Sequence, residues 1–394
     1  MRILCFSIDL PGHLDWGGYL STARALHQRG HDVLWVTGPS LKQRIRQAGV
    51  PFAPVPGTGW QHVMPPLGRN LSAQEREKER RHRALTVWLD PPHVLEALRS
   101  LEEVADDFAS DVILIEPFAV AGALLAEKYH LPLVVVGRPA RLPQKSHPRR
   151  LPNPAAPYVE ALLAAADVTG DYWDREWGQP RSPFLHLDFF SRQWYADLPD
   201  IAPQTVFCGG APGPRSQLDF SLDARPLMMI TLGTTFANDE SFFRIAAEGT
   251  LLAVGRPLLV TGERIPRVLS SLQEARPGPA IIRKWIDYDQ VFPHLGGIVH
   301  HGGMATTHAA LMYGVPQVIV PHAGDQYPQA ARITQAKVGY GIRPKDFDIE
   351  NAPLILADIL WDREFHDAAL MMAEQFRKLG GRETAADAVE ALPI

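Results

Sequence analysis

Residues 297–311 read GIVHHGGMATTHAAL, and this stretch decides how the rest of the chain is interpreted. The apolar residues 297–299 predict the end of a buried strand, and the residues from Met304 onward predict a helix. Two glycines at the turn between them let the backbone approach a ligand closely, because glycine has no Cβ. The helix N-terminus adds unpaired N–H groups and a partial positive charge of about half a unit. The stretch therefore predicts a diphosphate-binding turn that needs no metal.

Short apolar runs alternate with helix-like segments on both sides of this turn. Such alternation predicts an α/β fold with buried parallel strands, as in doubly wound domains. The predicted strands lie at 3–8, 33–36, 112–115, 133–136, 227–232, 257–261, 280–282, 297–300 and 317–320.

The chain length of 394 residues suits two domains better than one core. The segment CGGAPGPRS, which starts at Cys208, has the composition of an exposed linker. We predict an N-terminal domain at 1–208, a linker at 209–226 and a C-terminal domain at 227–394. For the last helix, packing against the N-terminal domain is a second alternative. Two facing Rossmann-like domains predict a cleft at the carboxyl ends of their sheets, where such folds bind ligands.

Composition excludes several classes of function. The net charge is −5, and the basic run at 80–83 follows three glutamates, so we expect no nucleic-acid partner. The two cysteines form neither a disulfide framework nor a metal motif. The longest apolar stretch, 112–126, is interrupted by Glu116 and Pro117 and falls short of the ~18 residues that span a bilayer. A cytoplasmic protein without a membrane span is expected.

Several further motifs accompany the HHGG turn. They are RKWI at 283–286, GVP at 314–316, PHAGDQ at 321–326, PGH at 11–13, EPF at 116–118 and TLGT at 231–234. Together with the turn, they resemble the signature of family 1 glycosyltransferases, in particular the bacterial natural-product and sterol-type branch. The resemblance implies the GT-B fold and an enzyme that uses a nucleotide sugar as donor.

The resemblance also implies roles for the residues of the donor half. Trp285 corresponds to the residue that stacks on the nucleotide base or lines its pocket, and the backbone of Ile286 corresponds to the group that reads the base edge. The implied diphosphate cradle is His301, Gly302, Gly303, Thr306 and Thr307, with Gly233 and Thr234 in a loop beside the phosphates. Asp325 and Gln326 correspond to the pair that hydrogen-bonds the sugar hydroxyls, and such a pair can both accept and donate.

In the N-terminal half, His13 matches the general base of the family. An imidazole has a suitable intrinsic pKa for taking a proton from an attacking hydroxyl. Glu116 matches the carboxylate that orients this base, a position where aspartate is usual. The chain has two more residues after His13 than the common pattern, so Asp15 is a rival orienting group.

Two positions in the donor signature depart from the common pattern. Ala305 replaces a glycine. Ala309 stands where many members place a glutamate that holds the ribose hydroxyls, so the choice between UDP and dTDP stays open. We interpret His300, His308 and His322 as residues other than metal ligands, because no acidic partner has a matching spacing.

The acceptor is expected to be a small molecule with a hydroxyl group and an apolar or aromatic body. Segments 57–100 and 138–200 interrupt the α/β pattern, and the second is rich in aromatic residues. These segments are interpreted either as an acceptor pocket or as packing over the sheet.

The expected reaction is inverting transfer from the nucleotide sugar to that hydroxyl, without a cofactor or a metal. A non-catalytic nucleotide-sugar-binding homologue and a sugar-nucleotide epimerase on the same fold remain as alternatives. The sequence leaves open whether the protein is a monomer or a homodimer.

Overall fold

The apolar runs of the sequence form two parallel sheets, and each sheet belongs to its own compact unit. The computed structural model describes residues 1–14, 18–64, 68, 71–142, 153–213, 217–233, 239–262 and 280–393. This arrangement confirms the prediction of an α/β fold with parallel sheets in two domains.

The two units are not contiguous in sequence. Unit 1 comprises Met1–Phe189, Tyr195–Cys208 and Arg382–Ile394, and unit 2 comprises Phe190–Trp194 and Gly209–Gly381. Residues 190–194 therefore belong to unit 2 and not to the predicted N-terminal domain, and the predicted linker 209–226 is also part of unit 2. Residues 382–394 belong to unit 1, which is the alternative that the prediction left open for the last helix. Composition could not place these segments, because their membership depends on packing with distant parts of the chain.

Unit 1 is built on a parallel sheet. Its strands are β1 (Arg2–Phe6), β2 (Asp32–Thr37), β3 (Phe52–Pro54), β4 (Val112–Ile115), β5 (Leu133–Val136), β6 (Trp173–Asp174), β7 (Gln179–Pro180), β8 (Leu185–Asp188) and β9 (Thr205–Phe207). In the described residues, seven of them form one sheet in the order β3-β2-β1-β4-β5-β8-β9. Strands β6 and β7 form a separate antiparallel pair.

Helices cover both faces of the unit 1 sheet. They are α1 (Pro11–Leu14), α2 (Tyr19–Gln28), α3 (Lys42–Gln47), α4 (Ala73–Leu89), α5 (Pro91–Phe108), α6 (Val120–Lys128) and α7 (Ala156–Ala166). Leu4 and Phe6 of β1 pack in the core beneath α4–α7, and Ile3 and Cys5 pack in the core beneath α2 and α3. Since both faces of β1 are buried from Ile3 to Phe6, these four residues are apolar without alternation.

Unit 2 repeats this plan. Its strands are β10 (Leu227–Thr231), β11 (Arg256–Val260), β12 (Ile281–Arg283), β13 (Leu295–His300), β14 (Gln317–Ile319) and β15 (Gly339–Gly341). Its described helices are α8 (Glu240–Leu252), α9 (Tyr288–Val291), α10 (Met304–Tyr313), α11 (Gln326–Gln335), α12 (Ala352–Trp361) and α13 (Arg363–Lys378). The sheet order is β12-β11-β10-β13-β14-β15, and every described pair is parallel.

Each sheet has one point where the strand order reverses. In unit 1 this switch point lies between β1 and β4, and in unit 2 it lies between β10 and β13. The helices that follow neighbouring strands leave the sheet on opposite sides there, which opens a crevice at the carboxyl ends. The two switch points are therefore the positions in the fold where ligands are expected.

The last helix, α14 (Arg382–Glu390), packs on α2 in unit 1. The Arg29 guanidinium lies 2.7 Å from both Glu383 and Asp387, and Ala385, Ala386 and Val389 enter the apolar core. Short 3-10 turns lie at Pro39–Leu41, Gln193–Tyr195, Phe292–His294 and Pro344–Asp346. Within the described part of the chain, no helix has the length and apolar character that crossing a membrane requires.

Candidate functional site

His13 and Glu116 lie at the switch point of unit 1. His13 is in α1, which follows β1, and Glu116 directly follows β4, the neighbour of β1 in the sheet. Nδ1 of His13 lies 3.3 Å from Oε2 of Glu116. The Glu116 side chain is fully buried, and the His13 side chain is 14% exposed. The structure thus brings together the two residues that the sequence paired.

Backbone N–H groups hold the Glu116 carboxylate in place. Ile8 N–H donates to Oε1 over 3.2 Å, and Phe118 N–H donates to Oε2 over 2.8 Å. These bonds compensate for burying a charge and turn Oε2 toward the imidazole. The extra methylene of glutamate therefore does not prevent the contact with His13. Asp15, the rival orienting group, lies outside the described residues.

Aromatic side chains surround the His13 imidazole. The ring centroid of Phe118 lies 5.5 Å from that of His13, and the centroid of Trp60 lies 6.1 Å away. Trp88 packs edge-on against Phe118, with the centroids 5.2 Å apart. The segment 57–100 therefore contributes an aromatic wall beside the histidine.

The aromatic residues of segment 138–200 have a different position. Most of them are buried, namely Tyr172, Trp173, Phe189, Phe190, Trp194 and Tyr195. Trp177, in contrast, is 40% exposed. For most of this segment, packing is the interpretation that the burial supports.

In unit 2, four loops that follow strands carry the residues assigned to the donor. Gly233 follows β10, the turn 301–303 follows β13, Trp285 follows β12, and Asp325 follows β14. Because all these strands are parallel, their carboxyl ends lie along the same edge of the sheet. The turn 301–303 and Gly233 flank the switch point between β10 and β13.

Three glycines make room for the turn. Gly302 has φ +92°, and a Cβ there would lie 2.7 Å from Cγ2 of Ile319. A Cβ on Gly233 would lie 2.8 Å from Cε1 of His301, and one on Gly303 would lie 2.7 Å from Nε2 of His301. The His301 ring therefore occupies space that a side chain at either glycine would need, which explains the glycines on both sides of it.

The electrostatic state of His301 follows from its burial. Burial, and next the charge of nearby His322, lower the pKa of His301 from 6.5 to about 4. The imidazole is therefore neutral at pH 7 and carries one N–H. It can act toward an anion as a hydrogen-bond donor and not as a permanent cation.

The first turn of α10 supplies backbone donors at the same place. The helix begins at Met304, and Thr307 N–H makes the first helical bond, to the carbonyl of Gly303. The N–H groups of residues 304–306 therefore have no partner within the helix. The hydroxyl of Thr307 donates to the Gly303 carbonyl over 3.0 Å, and the hydroxyl of Thr306 lies 3.1 Å from that of Tyr288. Both hydroxyls expected in the cradle thus have partners within unit 2.

Trp285 and Ile286 differ in exposure. The Trp285 side chain is 42% exposed, which is unusual for a large aromatic residue and leaves surface for stacking. Ile286 is partly buried and packs against the core of unit 2. Thr234, the remaining residue assigned to the donor, lies outside the described residues.

Gln326 organises the loop that follows β14. Its Oε1 accepts from the N–H of His322 over 2.7 Å and from the N–H of Ala323 over 2.9 Å. Asp325 is exposed at the start of α11, and in the described structure its side chain makes no capping hydrogen bond to that helix. The pair assigned to the sugar is therefore split, because Gln326 holds the loop whereas Asp325 lies on its exposed side.

Sequence reasoning missed three contributors to these sites. Trp60 and Trp88 lie in a segment that was recognised only as an interruption. Gln317 is a polar residue within a predicted apolar strand, and a buried amide needs a hydrogen-bond partner. Its side chain is fully buried and is hydrogen-bonded to His300. In the described parts of the chain, no group of three or more His, Cys, Asp or Glu side chains is arranged to hold a metal ion.

Two family models match this chain. The erythromycin biosynthesis protein CIII-like N-terminal domain matches residues 24–154, and the C-terminal domain of the same description matches residues 268–388. The chain is 32% identical to O-mycaminosyltylonolide 6-deoxyallosyltransferase of Streptomyces fradiae, over 99% of this chain and 95% of that protein.

Solved glycosyltransferases have the same fold. The glycosyltransferase of kitacinnamycin superposes with a TM-score of 0.80 at 22% identity, covering 100% of this chain and 99% of the other. The glycosyltransferase VinC, solved in complex with dTDP, superposes with a TM-score of 0.69 at 20% identity, and 99% of each chain is covered.

Proposed function

Because this chain belongs to the erythromycin biosynthesis protein CIII-like family of GT-B glycosyltransferases, we propose that it moves a sugar from a dTDP-sugar to a hydroxyl of an apolar or aromatic small molecule, with inversion. That the chain is a nucleotide-sugar glycosyltransferase of natural-product type follows from the family. The proposal concerns the nucleotide of the donor, the class of acceptor and the roles of individual residues.

The observation that carries the proposal is the glycine turn 301–303 at the switch point of unit 2. A neutral imidazole and the free N–H groups of α10 converge there, with the positive end of the helix behind them. This set of donors suits a diphosphate. Exposed Trp285, at the end of β12, is suited to stack on the nucleotide base.

Two observations favour dTDP over UDP as the nucleotide. Ala309 is buried in the core of unit 2 and has no carboxylate to accept from a ribose 2′-hydroxyl, which fits a deoxyribose. The similar enzyme VinC was solved with dTDP. UDP is the competing outcome of the test below.

In the proposed reaction, Nε2 of His13 takes the proton of the acceptor hydroxyl. The hydroxyl oxygen forms a bond to the anomeric carbon on the face opposite the diphosphate, and the bond from that carbon to the phosphate oxygen breaks. The electron pair leaves with the nucleoside diphosphate, whose growing charge is stabilised by the N–H groups of α10. Glu116 holds the ring through Nδ1 and stabilises the imidazolium that forms.

An apolar or aromatic acceptor is proposed because of the surroundings of His13. Trp60 and Phe118 flank the imidazole, and Trp88 supports Phe118. Aromatic faces bind apolar rings by offset stacking or edge contacts. Such a wall would hold the body of the acceptor while its hydroxyl reaches Nε2.

The first part of the test is binding. Thermal unfolding is followed with dTDP, UDP and thymidine, because a ligand that binds only the folded state raises the unfolding temperature. We expect dTDP to stabilise the protein at concentrations where UDP has a smaller effect and thymidine has almost none. Equal stabilisation by dTDP and UDP would remove the proposed preference for dTDP.

The second part is transfer. The enzyme is incubated with dTDP-hexoses and aromatic alcohols, with the matched methyl ethers as controls that have no hydroxyl. A glycoside of inverted anomeric configuration is expected only from the alcohols, and NMR coupling constants report the configuration. Retained configuration contradicts the mechanism. Epimerised nucleotide sugar without acceptor, or binding without transfer across the panel, supports one of the two alternatives.

A further inference from the structure

His300, the last residue of β13, is fully buried and is not part of the proposed donor contacts. Its Nδ1 lies 3.2 Å from the backbone nitrogen of Gly302, and its Nε2 lies 3.0 Å from Oε1 of Gln317. Gln317 is also fully buried and opens the neighbouring strand β14. A histidine and a glutamine inside the sheet are therefore linked directly to the glycine turn.

The partners determine the tautomer of His300. A backbone N–H can only donate, so Nδ1 must accept from Gly302 and carry no hydrogen. The hydrogen then lies on Nε2, which donates to Oε1 of Gln317. Burial, and next the charge of His301, lower the pKa of His300 from 6.5 to about 3, so the ring stays neutral at pH 7.

The bond from Gly302 has a consequence for the shape of the turn. It ties the N–H of Gly302 back toward the sheet, in a conformation with φ +92° that suits glycine. The residues after it, Gly303 and the first turn of α10, then present the next N–H groups at the switch point. An unbonded Gly302 would be free to turn its N–H elsewhere, and the following donors would lose their common direction.

We propose that His300 and Gln317 are positioning residues for the donor: through the N–H of Gly302 they set the turn that binds the nucleoside diphosphate. This inference rests on the proposed function, which assigns the turn to the diphosphate. It predicts that the bond to Gly302, more than the bond to Gln317, controls the affinity for dTDP.

Two substitutions of His300 separate these bonds. The amide oxygen of asparagine can take the position of Nδ1 and accept from Gly302, whereas the longer amide of glutamine reaches the position of Nε2 and can donate to Gln317. Both variants lose one buried hydrogen bond, so both are expected to lose stability to a similar degree. We expect H300Q to weaken dTDP binding about tenfold. H300N should bind dTDP with an affinity much closer to that of the unaltered enzyme.

The measurement is calorimetric titration of each folded variant with dTDP and with thymidine, together with kcat and the KM for the nucleotide sugar. The expected change lies in dTDP affinity and in KM, with kcat at saturating donor changed less. Affinities that fall equally in H300N and H300Q, or that fall in neither, overturn the proposal.

A matched control is His186 in unit 1, which is also buried and neutral. It accepts at Nε2 from Ser182 N–H over 3.0 Å and faces the Arg138 carbonyl through Nδ1 over 2.9 Å. H186Q should lower stability while leaving dTDP affinity within about twofold. An equal loss of dTDP affinity in H186Q would show that H300Q acts through global stability.

H301A tests the proposed function separately. If H301A binds dTDP as the unaltered enzyme does, the turn is not the diphosphate site and the proposed function fails at that point. If H301A loses affinity but H300Q does not, the cradle stands and only the role of His300 is wrong. Q317E gives a third test, since a carboxylate beside Nε2 favours a doubly protonated ring whose Nδ1–H faces the Gly302 N–H, and it should weaken dTDP binding at least as much as H300Q.

Discussion

Oε2 of Glu116 lies 3.3 Å from Nδ1 of His13, and the same oxygen accepts a hydrogen bond from the N–H of Phe118. The carboxylate is thereby fixed by the backbone after β4 while it faces the imidazole after β1. Because both strands end at the switch point, the contact needs no long loop to support it. This pair gives the most direct tests of the proposed mechanism.

Replacing His13 with alanine should abolish transfer while leaving the affinity for dTDP nearly unchanged, because His13 belongs to unit 1 and the donor residues belong to unit 2. Removing a general base typically lowers turnover about 10²–10⁴-fold. Steady-state kinetics and calorimetry measure the two quantities. H93A, which removes an exposed histidine of α5, serves as the control. Turnover near that of the unaltered enzyme would mean that His13 is structural.

Replacing Glu116 with glutamine should lower kcat by about 10²–10⁴-fold, because the imidazolium that forms at His13 loses its carboxylate. The amide keeps the size of the side chain, but its NH2 group then faces one of the two backbone N–H donors, so thermal unfolding is measured together with kcat. D111N is a matched control, since Asp111 is a carboxylate just before β4 that pairs with exposed Arg2. If E116Q and D111N have the same kcat, Glu116 only supports the backbone around β4.

Replacing Asp325 with alanine should weaken binding of the nucleotide sugar but spare binding of the free nucleoside diphosphate. A carboxylate repels phosphate but accepts from sugar hydroxyls, in bonds worth about 1.5–3 kcal/mol. Q326A provides a contrast, because loss of its Oε1 frees the N–H groups of His322 and Ala323 and should disturb both ligands. Calorimetry with both ligands decides. Equal losses in D325A would remove the assignment of Asp325 to the sugar.

Stability should fall as the pH is lowered below about 6.5. Burial lowers the folded-state pKa of His186 and His301 to about 4 and that of His300 to about 3. In the unfolded chain these histidines take up protons near pH 6.5, so protonation favours unfolding between about pH 6.5 and 4, at up to about 1.4 kcal/mol per histidine and pH unit. The urea midpoint should thus be lower at about pH 5 than at about pH 7.5. A urea midpoint that is the same at both pH values contradicts this account. So does an H186Q variant whose stability depends on pH as steeply as that of the unaltered protein.

Chelation should leave transfer intact, because the N-terminus of α10 offers the positive end that a metal would otherwise supply. The measurement is the initial rate of transfer after dialysis against EDTA, with and without added Mg²⁺ or Mn²⁺. Loss of activity that either ion restores would contradict the proposed stabilisation of the leaving group.

Local sequence was sufficient to predict nine of the described strands and the glycine turn, but it missed the short strands β3, β6, β7, β8, β9 and β15. Buried parallel strands are apolar on both faces, so runs such as 112–115 are visible without alignment to any structure. The turn at 301–303 combines a strand end, two glycines and a helix start within a few residues. Each of these signals depends on neighbours along the chain.

Other features depend on residues that are distant in sequence. The sequence treated Gln326 as a sugar ligand, yet its Oε1 is used by the backbone of His322 and Ala323. The resemblance placed Thr307 in the diphosphate cradle, and in the structure its hydroxyl donates to the carbonyl of Gly303. A motif shows which polar side-chain atoms are present. Which of these atoms already form hydrogen bonds with the backbone depends on the folded structure.

The sequence by itself determined the α/β fold, because hydrophobic periodicity is a property of neighbouring residues, and its motifs were sufficient to show the resemblance to glycosyltransferases. Only the tertiary structure decided that Glu116 reaches His13, that Trp60 and Phe118 flank the ring, and that His300 accepts from Gly302 while it contacts Gln317. These contacts join strands that are adjacent in a sheet but far apart in the chain. Their distances of about 3 Å arise from strand register and burial, which no local pattern specifies.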